Sequence, residues 1–206
     1  MHRIQAFEFN ERGDVPRFVR DSIVEILGNG LRWGRVLEAA GPAFLEFCGR
    51  ARCDAVLDLC SGTGEPASTF LSSLPGDTTS LPDFYLSDLF PNVEAMDQVR
   101  ARHPGKVRLI TRPVDATNVP PEVDRPARTI INALHHFPPA LAQKILADCV
   151  AKGRAVFVIE AMQRKPLHIF SLMPFFTAAF FANPFLCPRD RALKLFFSHV
   201  VPVIGW

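Results

Sequence analysis

Residues 55–66 read AVLDLCSGTGEP, a short apolar run that closes on Asp58 and passes into Gly62-Thr-Gly64. A helical pattern follows at once over residues 65–74. An apolar run, a glycine turn and a helix are typical of the first unit of a parallel sheet, because glycine lets the backbone turn sharply. We therefore expect a strand, a tight turn and a helix in this stretch.

Further apolar runs repeat this pattern along the chain, at residues 84–88, 107–111, 128–132 and 155–160. Helical periodicity separates them, for example over residues 141–150. Strands that alternate with helices form right-handed crossovers. The sequence therefore predicts an α/β fold with a doubly wound, mostly parallel sheet of Rossmann-like type.

The 206 residues suffice for one domain with a small appendage. Amphipathic helical periodicity precedes the first strand, and Gly28-Asn-Gly30 is expected to end the first helix. We expect a helical cap over residues 1–52, a cofactor-binding core over residues 53–162 and an apolar helical segment over residues 163–206.

Composition excludes several functional classes. The formal net charge of +2 gives no electrostatic reason to expect nucleic acid as a partner. The first residues carry charges throughout and contain no apolar core of a secretory signal. Five scattered Cys, with no CxxC pair, predict reduced thiols and no metal site. We expect a cytoplasmic protein.

Polar residues follow four of the predicted strands, at Asp58, Asp88, Asp115 and residues 132–136. In parallel α/β sheets, ligands bind just beyond the carboxyl ends of the strands. Four such positions in order along the chain predict a single binding rim.

Residues 62–67 fit the dinucleotide pattern G-x-G-x-x-G/A, so a nicotinamide cofactor must be weighed. Asp58 before the glycines and Glu65 at the start of the helix oppose a pyrophosphate, which needs a positive field there. A cationic ligand without phosphate, such as S-adenosylmethionine, fits better.

Each acid has a role toward that ligand and an alternative one. Asp58 would accept from the ammonium, directly or through water, or it caps the turn. Asp88 would accept both ribose hydroxyls, or it caps the next helix. Asp115 would accept from the adenine amino group, or it is an ordinary loop acid.

The chain resembles class I S-adenosylmethionine-dependent methyltransferases, and more narrowly bacterial small-molecule methyltransferases of that fold. The resemblance spans essentially the whole chain and is carried by residues 7–10 with Pro16, Arg20 and Asp21, and by residues 58–66, 87–92, 114–116, 128–137 and 157–160. Cys60 departs from the pattern, since the superfamily often has glycine there. The resemblance implies cofactor contacts from Asp58, Cys60, Ser61, Gly62, Gly64, Asp88, Leu89, Asp115, Ala116 and Asn132.

His135 and His136 follow the fourth strand, where the methyl group and the acceptor would meet. A neutral imidazole can remove a proton from the acceptor, and His135 is preferred because it lies closer to the strand end. Alternatively the pair shapes the pocket, since many methyl transfers need only alignment. Glu160 would line the acceptor pocket, or pair with Arg164 or Lys165.

The C-terminal part is unusually apolar. The chain has 18 Phe against 1 Tyr, and eight Phe lie in the last forty residues. Residues 166–188 contain no Asp, Glu, Lys or Arg. Three interpretations stay open: a helix packed on the sheet, a lid over an apolar acceptor, or a segment over residues 167–187 resting on a membrane surface.

Similar sequences continue for several tens of residues beyond this point, and the terminal antiparallel strand pair of the fold is not found. We therefore expect a truncated chain with an exposed fifth strand, and dimerisation, aggregation or a covering tail as its consequence.

The sequence thus predicts a methyltransferase that moves a methyl group from S-adenosylmethionine to O or N of a small, largely apolar acceptor. The alternative is a truncated, non-catalytic relative that binds the cofactor. An NAD(P)-dependent reductase ranks last.

Overall fold

The computed structural model describes residues 16–74, 81–161, 166–186, 190–196 and 198. The α-helices are α1 Arg17–Trp33, α2 Gly41–Ala51, α3 Glu65–Ser73, α4 Val93–Arg102, α5 Pro139–Ala151, α6 Pro166–Leu186 and α7 Arg191–Leu195. Short 3-10 helices span Glu38–Ala40 and Leu134–His136. The strands are β1 Ala55–Asp58, β2 Asp83–Leu86, β3 Val107–Leu109, β4 Ala127–Ile131 and β5 Ala155–Ile159.

The five strands form one sheet in the order β3-β2-β1-β4-β5, and every pairing is parallel. The predicted α/β class and the five predicted strands are confirmed. The topology is compatible with a Rossmann-like fold, in which the strand order changes direction next to β1. The carboxyl ends of β1 and β4 lie side by side at that point, since Asp58 is in register with Thr129.

The sheet core is apolar and aromatic. Phe44 of α2 is fully buried, and its ring centroid lies 5.2 Å from that of Phe70 and 5.7 Å from that of Phe84. Phe157 of β5 completes the cluster at 5.4 Å. Because burying one such ring stabilises a fold by roughly 1.5–3 kcal/mol, this cluster fixes α2 against the sheet.

Opposite charges are buried near the amino end of β4. Arg128 is fully buried, and its guanidinium donates to Asp124 at 2.8 Å and to Asp148 at 2.7 Å. Arg154 also donates to Asp124 at 2.8 Å. The pairing compensates the cost of burying these charges and ties β4 to its neighbours.

Two compact units make up the chain: one comprises Met1–Val36 with Met162–Trp206, and the other Leu37–Ala161. The segment predicted as one helical cap is therefore divided between them. The division into residues 1–52, 53–162 and 163–206 stays a prediction.

The expectation that Gly28 and Gly30 end the first helix is wrong, because α1 continues to Trp33. Gly30 serves packing instead. A Cβ at Gly30 would overlap the ring of Phe176 in α6, so its absence allows α1 and α6 to approach closely within their unit.

The described residues after β5 form α6 and α7 and contain no strand, so β5 is an edge of the described sheet. The helical character predicted for this segment is confirmed over Pro166–Leu186. Among the described residues, no helix combines the length and apolarity that spanning a bilayer requires.

Candidate functional site

The turn after β1 brings the chain back sharply at the carboxyl edge of the sheet. Cys60, Gly62 and Gly64 all have positive φ, of 58°, 56° and 80°. Glycine suits position 64 for two reasons: its φ is positive, and a Cβ there would lie 2.8 Å from Leu86 Cδ1. The turn therefore packs directly on β2, and α3 begins at the next residue, Glu65.

Asp58 lies buried beneath this turn. Its Oδ2 accepts a hydrogen bond from Ser61 Oγ at 2.6 Å, and its Oδ1 accepts one from Thr129 Oγ1 at 2.7 Å. Burial raises the pKa of Asp58 to about 7, and the nearby Asp88 adds to the rise. Asp58 thus joins β1, the turn and β4.

Asp88 links the ends of β1 and β2. Its Oδ2 accepts from the backbone N–H of Gly62 at 2.8 Å, and its Oδ1 from that of Phe90 at 2.9 Å. The alternative that Asp88 caps the following helix is wrong, since α4 is capped by Asn92, whose side chain accepts from Ala95. A carboxylate has about four lone-pair positions, so both Asp88 oxygens can accept a further donor.

Asp115 is exposed and belongs to the same rim. Its Oδ1 accepts from the backbone N–H of Thr117 at 2.8 Å and from the Thr117 hydroxyl at 2.7 Å. The backbone N–H of Val114 donates to the carbonyl of Asp88 at 2.9 Å, which brings the two loops together. Asp115 therefore shapes its own loop, and it stands next to the Asp88 segment.

Cys60 lies among the three acids. Burial raises the pKa of its thiol to about 12, and the charges of Asp88, Asp58 and Asp115 add to the rise. The thiol is therefore neutral at physiological pH and poorly suited to be a nucleophile. The positive φ of Cys60 explains why glycine suits this position.

The remaining predicted contacts differ in exposure. Leu89 is 46 % exposed beside Asp88, whereas Ala116 and Ser61 are buried. Asn132 has a positive φ of 53°, and its side-chain oxygen accepts from the backbone N–H of Ala161 at 3.2 Å. Asn132 thus ties the end of β4 to the residues after β5.

His135 and His136 occupy the short 3-10 helix after β4, and their ring centroids lie 4.2 Å apart. His135 Nδ1 lies 2.6 Å from Glu160 Oε2, and both side chains are about one third exposed. The predicted partners Arg164 and Lys165 of Glu160 lie outside the described residues.

Two contacts of the site were not predicted from the sequence: Thr129 with Asp58, and Glu160 with His135. Thr129 was not singled out, although its register beside Asp58 follows from the pairing of β1 with β4. The pairing of Glu160 with His135 was also missed. Its signal was present, because both residues follow adjacent parallel strands whose ends, Ile131 and Ile159, are in register.

A depression of about 460 Å³ lies elsewhere in the same unit, between α2 and β5. Phe47 and Phe157 line it, and its acid Glu46 is paired with Arg50 at 2.7 Å. It contains none of the rim residues. Among the described residues, no group of three or more His, Cys, Asp or Glu side chains is placed to hold a metal ion.

The rim therefore offers carboxylates, a sharply turned backbone and a His–Glu pair at adjacent strand ends. No family model matches the chain, and no curated protein or solved structure matches it.

Proposed function

We propose that this chain is an S-adenosylmethionine-dependent methyltransferase that acts on O or N of a small, largely apolar acceptor. The observation that carries the proposal is the placement of Asp88. Its carboxylate lies beyond β2 and is held by Gly62 and Phe90 backbone donors, so its remaining lone pairs are fixed in direction.

The donors and acceptors of the rim fit this cofactor. Asp88 would accept the two ribose hydroxyls, and Leu89 offers exposed apolar surface beside it. Asp115 would accept from the adenine amino group. The carboxylates of Asp88 and Asp115 near Cys60 favour a ligand that brings positive charge.

We do not expect Asp58 to contact the ligand directly. Both of its oxygens accept internal hydrogen bonds and its side chain is 1 % exposed. We infer that Asp58 shapes the turn, while the sharply turned backbone at Gly62 approaches the ligand. A Cβ at Gly62 would meet no atom within 4 Å, so open space borders the turn.

A dinucleotide fits less well. Glu65 stands in the first turn of α3, where a pyrophosphate would need a positive field. Glu65 is paired with Arg102, which lessens its charge without removing the carboxylate from the helix start. We therefore rank the reductase below the methyltransferase.

When bound, S-adenosylmethionine supplies an electrophilic methyl carbon on a sulfonium. His135 would remove the acceptor proton as the acceptor oxygen or nitrogen bonds to that carbon and the carbon–sulfur bond breaks, which releases S-adenosylhomocysteine. With Nδ1–H donating to Glu160, Nε2 carries the lone pair that takes the proton. Glu160 would act as a positioning residue that selects this tautomer.

Calorimetric titration with S-adenosylmethionine, S-adenosylhomocysteine and NADH tests the proposal. We expect both adenosyl ligands to bind and NADH not to bind. Binding of NADH alone would overturn the methyltransferase in favour of a reductase. Binding of the adenosyl ligands without transfer to any member of a panel of apolar alcohols, phenols and amines would favour the non-catalytic alternative.

A further inference from the structure

One face of α6 exposes large apolar side chains. The exposed fractions are 72 % for Phe170, 50 % for Met173, 47 % for Phe181 and 58 % for Phe185. Their spacing of three, eight and four residues places them on one side of a helix. We call these four residues the outer stripe of α6.

The buried residues of α6 lie on the side opposite the stripe, where Phe175 and Leu186 are also exposed, at 37 % and 47 %. Leu172, Ala179 and Asn183 are at most 6 % exposed. Phe176 packs on Gly30 of α1 so closely that a Cβ there would overlap it. The outer stripe lies away from these buried residues and forms an exposed patch of a kind that marks interaction surfaces.

The charge of the chain is unevenly divided. Residues 1–36 and 162–206 carry eleven Arg and Lys against six Asp and Glu, a formal charge of +5. Residues 37–161 carry twelve against fifteen, a formal charge of −3. The unit that holds the outer stripe is thus strongly basic, although the chain as a whole is nearly neutral.

A cation also lies at the end of the stripe. The guanidinium of Arg191 lies 5.4 Å from the centroid of the Phe185 ring. Apolar side chains with adjacent basic groups are typical of surfaces that enter the interface of a bilayer, where the rings meet acyl chains and the cations meet headgroups.

We propose that the outer stripe of α6 binds the surface of bilayers that contain anionic lipids. A second copy of the chain is the less favoured occupant, because two units of +5 would face each other across the contact. An anionic lipid surface satisfies both the apolar stripe and the charge. This binding does not depend on the proposed methyl transfer.

Sedimentation of the full chain with vesicles tests the proposal. The probes are vesicles of phosphatidylcholine alone and vesicles with about one third phosphatidylglycerol. We expect binding to the anionic vesicles that is at least about tenfold tighter than to the neutral ones, and weaker when salt rises from about 0.05 M to about 0.5 M.

The variant Phe170→Ser with Met173→Ser should weaken binding to anionic vesicles by about tenfold or more, because both side chains would leave the acyl region. The matched control is Phe90→Ser with Val150→Ser, since these side chains are 83 % and 78 % exposed in the other unit. We expect the control to bind as the parent chain does. Thermal unfolding of all three chains separates lost binding from lost folding.

Three results would overturn the proposal. The first is no binding to vesicles of either composition. The second is equal loss of binding in the stripe variant and the control. The third is a parent chain that dimerises and a stripe variant that is monomeric, with vesicle binding the same in both, which would assign the stripe to a second copy.

Discussion

His135 Nδ1 lies 2.6 Å from Glu160 Oε2, which joins the residue groups that follow β4 and β5. The two residues follow adjacent parallel strands whose ends are in register, so the sheet brings the segments that carry them together. A carboxylate beside one imidazole nitrogen determines which nitrogen holds the proton in the neutral ring. This contact therefore orients the imidazole of His135, the residue that we propose as the base.

Replacing Glu160→Ala should change the tautomer of His135. With the carboxylate present, we expect the neutral ring to carry its proton on Nδ1. Without the carboxylate, we expect the population of the Nε2–H tautomer to rise. Nitrogen chemical shifts of labelled histidine measure this directly and need no acceptor. Identical tautomer populations in both proteins would show that Glu160 does not orient the ring.

Glycine substitutions in the turn should differ in cost. Gly62→Ala meets open space, so only its positive φ is penalised, by about 1–2 kcal/mol of the free energy of unfolding. Gly64→Ala adds overlap with buried Leu86, worth about 1–3 kcal/mol more. Urea denaturation measures both. Equal losses would mean that the turn does not pack on β2 as described.

The stability of the chain should depend on pH through Asp58. Its pKa is raised in the folded state to about 7 from an ordinary 3.8 by burial, so the folded state holds the proton more tightly than the unfolded state does. The stabilising contribution is complete below about pH 4 and is lost as the pH rises through 7.

Asp58→Asn removes this dependence. We expect the free energy of unfolding of the variant, relative to the parent, to increase steadily from pH 4 to pH 7 in urea titrations. A difference that stays constant over that range would show that Asp58 has no raised pKa in the folded protein.

The buried pairing of Arg128 should be costly to break. Asp124→Ala leaves the buried guanidinium without one of its two carboxylates, and we expect a loss of about 3–5 kcal/mol in the free energy of unfolding. Glu46→Ala is the matched control, since its pair with Arg50 is exposed, and it should cost about 1 kcal/mol or less. Similar losses in the two variants would contradict this assignment.

The strands and the rim followed from the sequence because apolar runs that end in acids are local features. Asp58, Asp88 and Asp115 could be assigned to one edge of a parallel sheet before any contact was known. Their hydrogen bonds could not be assigned, because Thr129 and Gly62 reach these acids through strand register and turn geometry.

The helix α1 illustrates the other limit. Gly30 is locally unfavourable in a helix, and local propensity alone predicted an end there. The tertiary contact with Phe176 decides the outcome, since close packing of α6 requires a residue without a side chain.

The most direct test of the account is the affinity of Asp88→Ala for S-adenosylmethionine, measured by calorimetry beside the parent chain and the matched surface variant Asp97→Ala. If Asp88 holds the ribose hydroxyls, its loss should weaken binding by about 1–3 kcal/mol, which is about five- to 150-fold in Kd. Asp97→Ala should bind as the parent does, because Asp97 pairs with Arg100 on the surface of α4. An Asp88→Ala chain that stays folded and binds S-adenosylmethionine with unchanged affinity would contradict the proposed site.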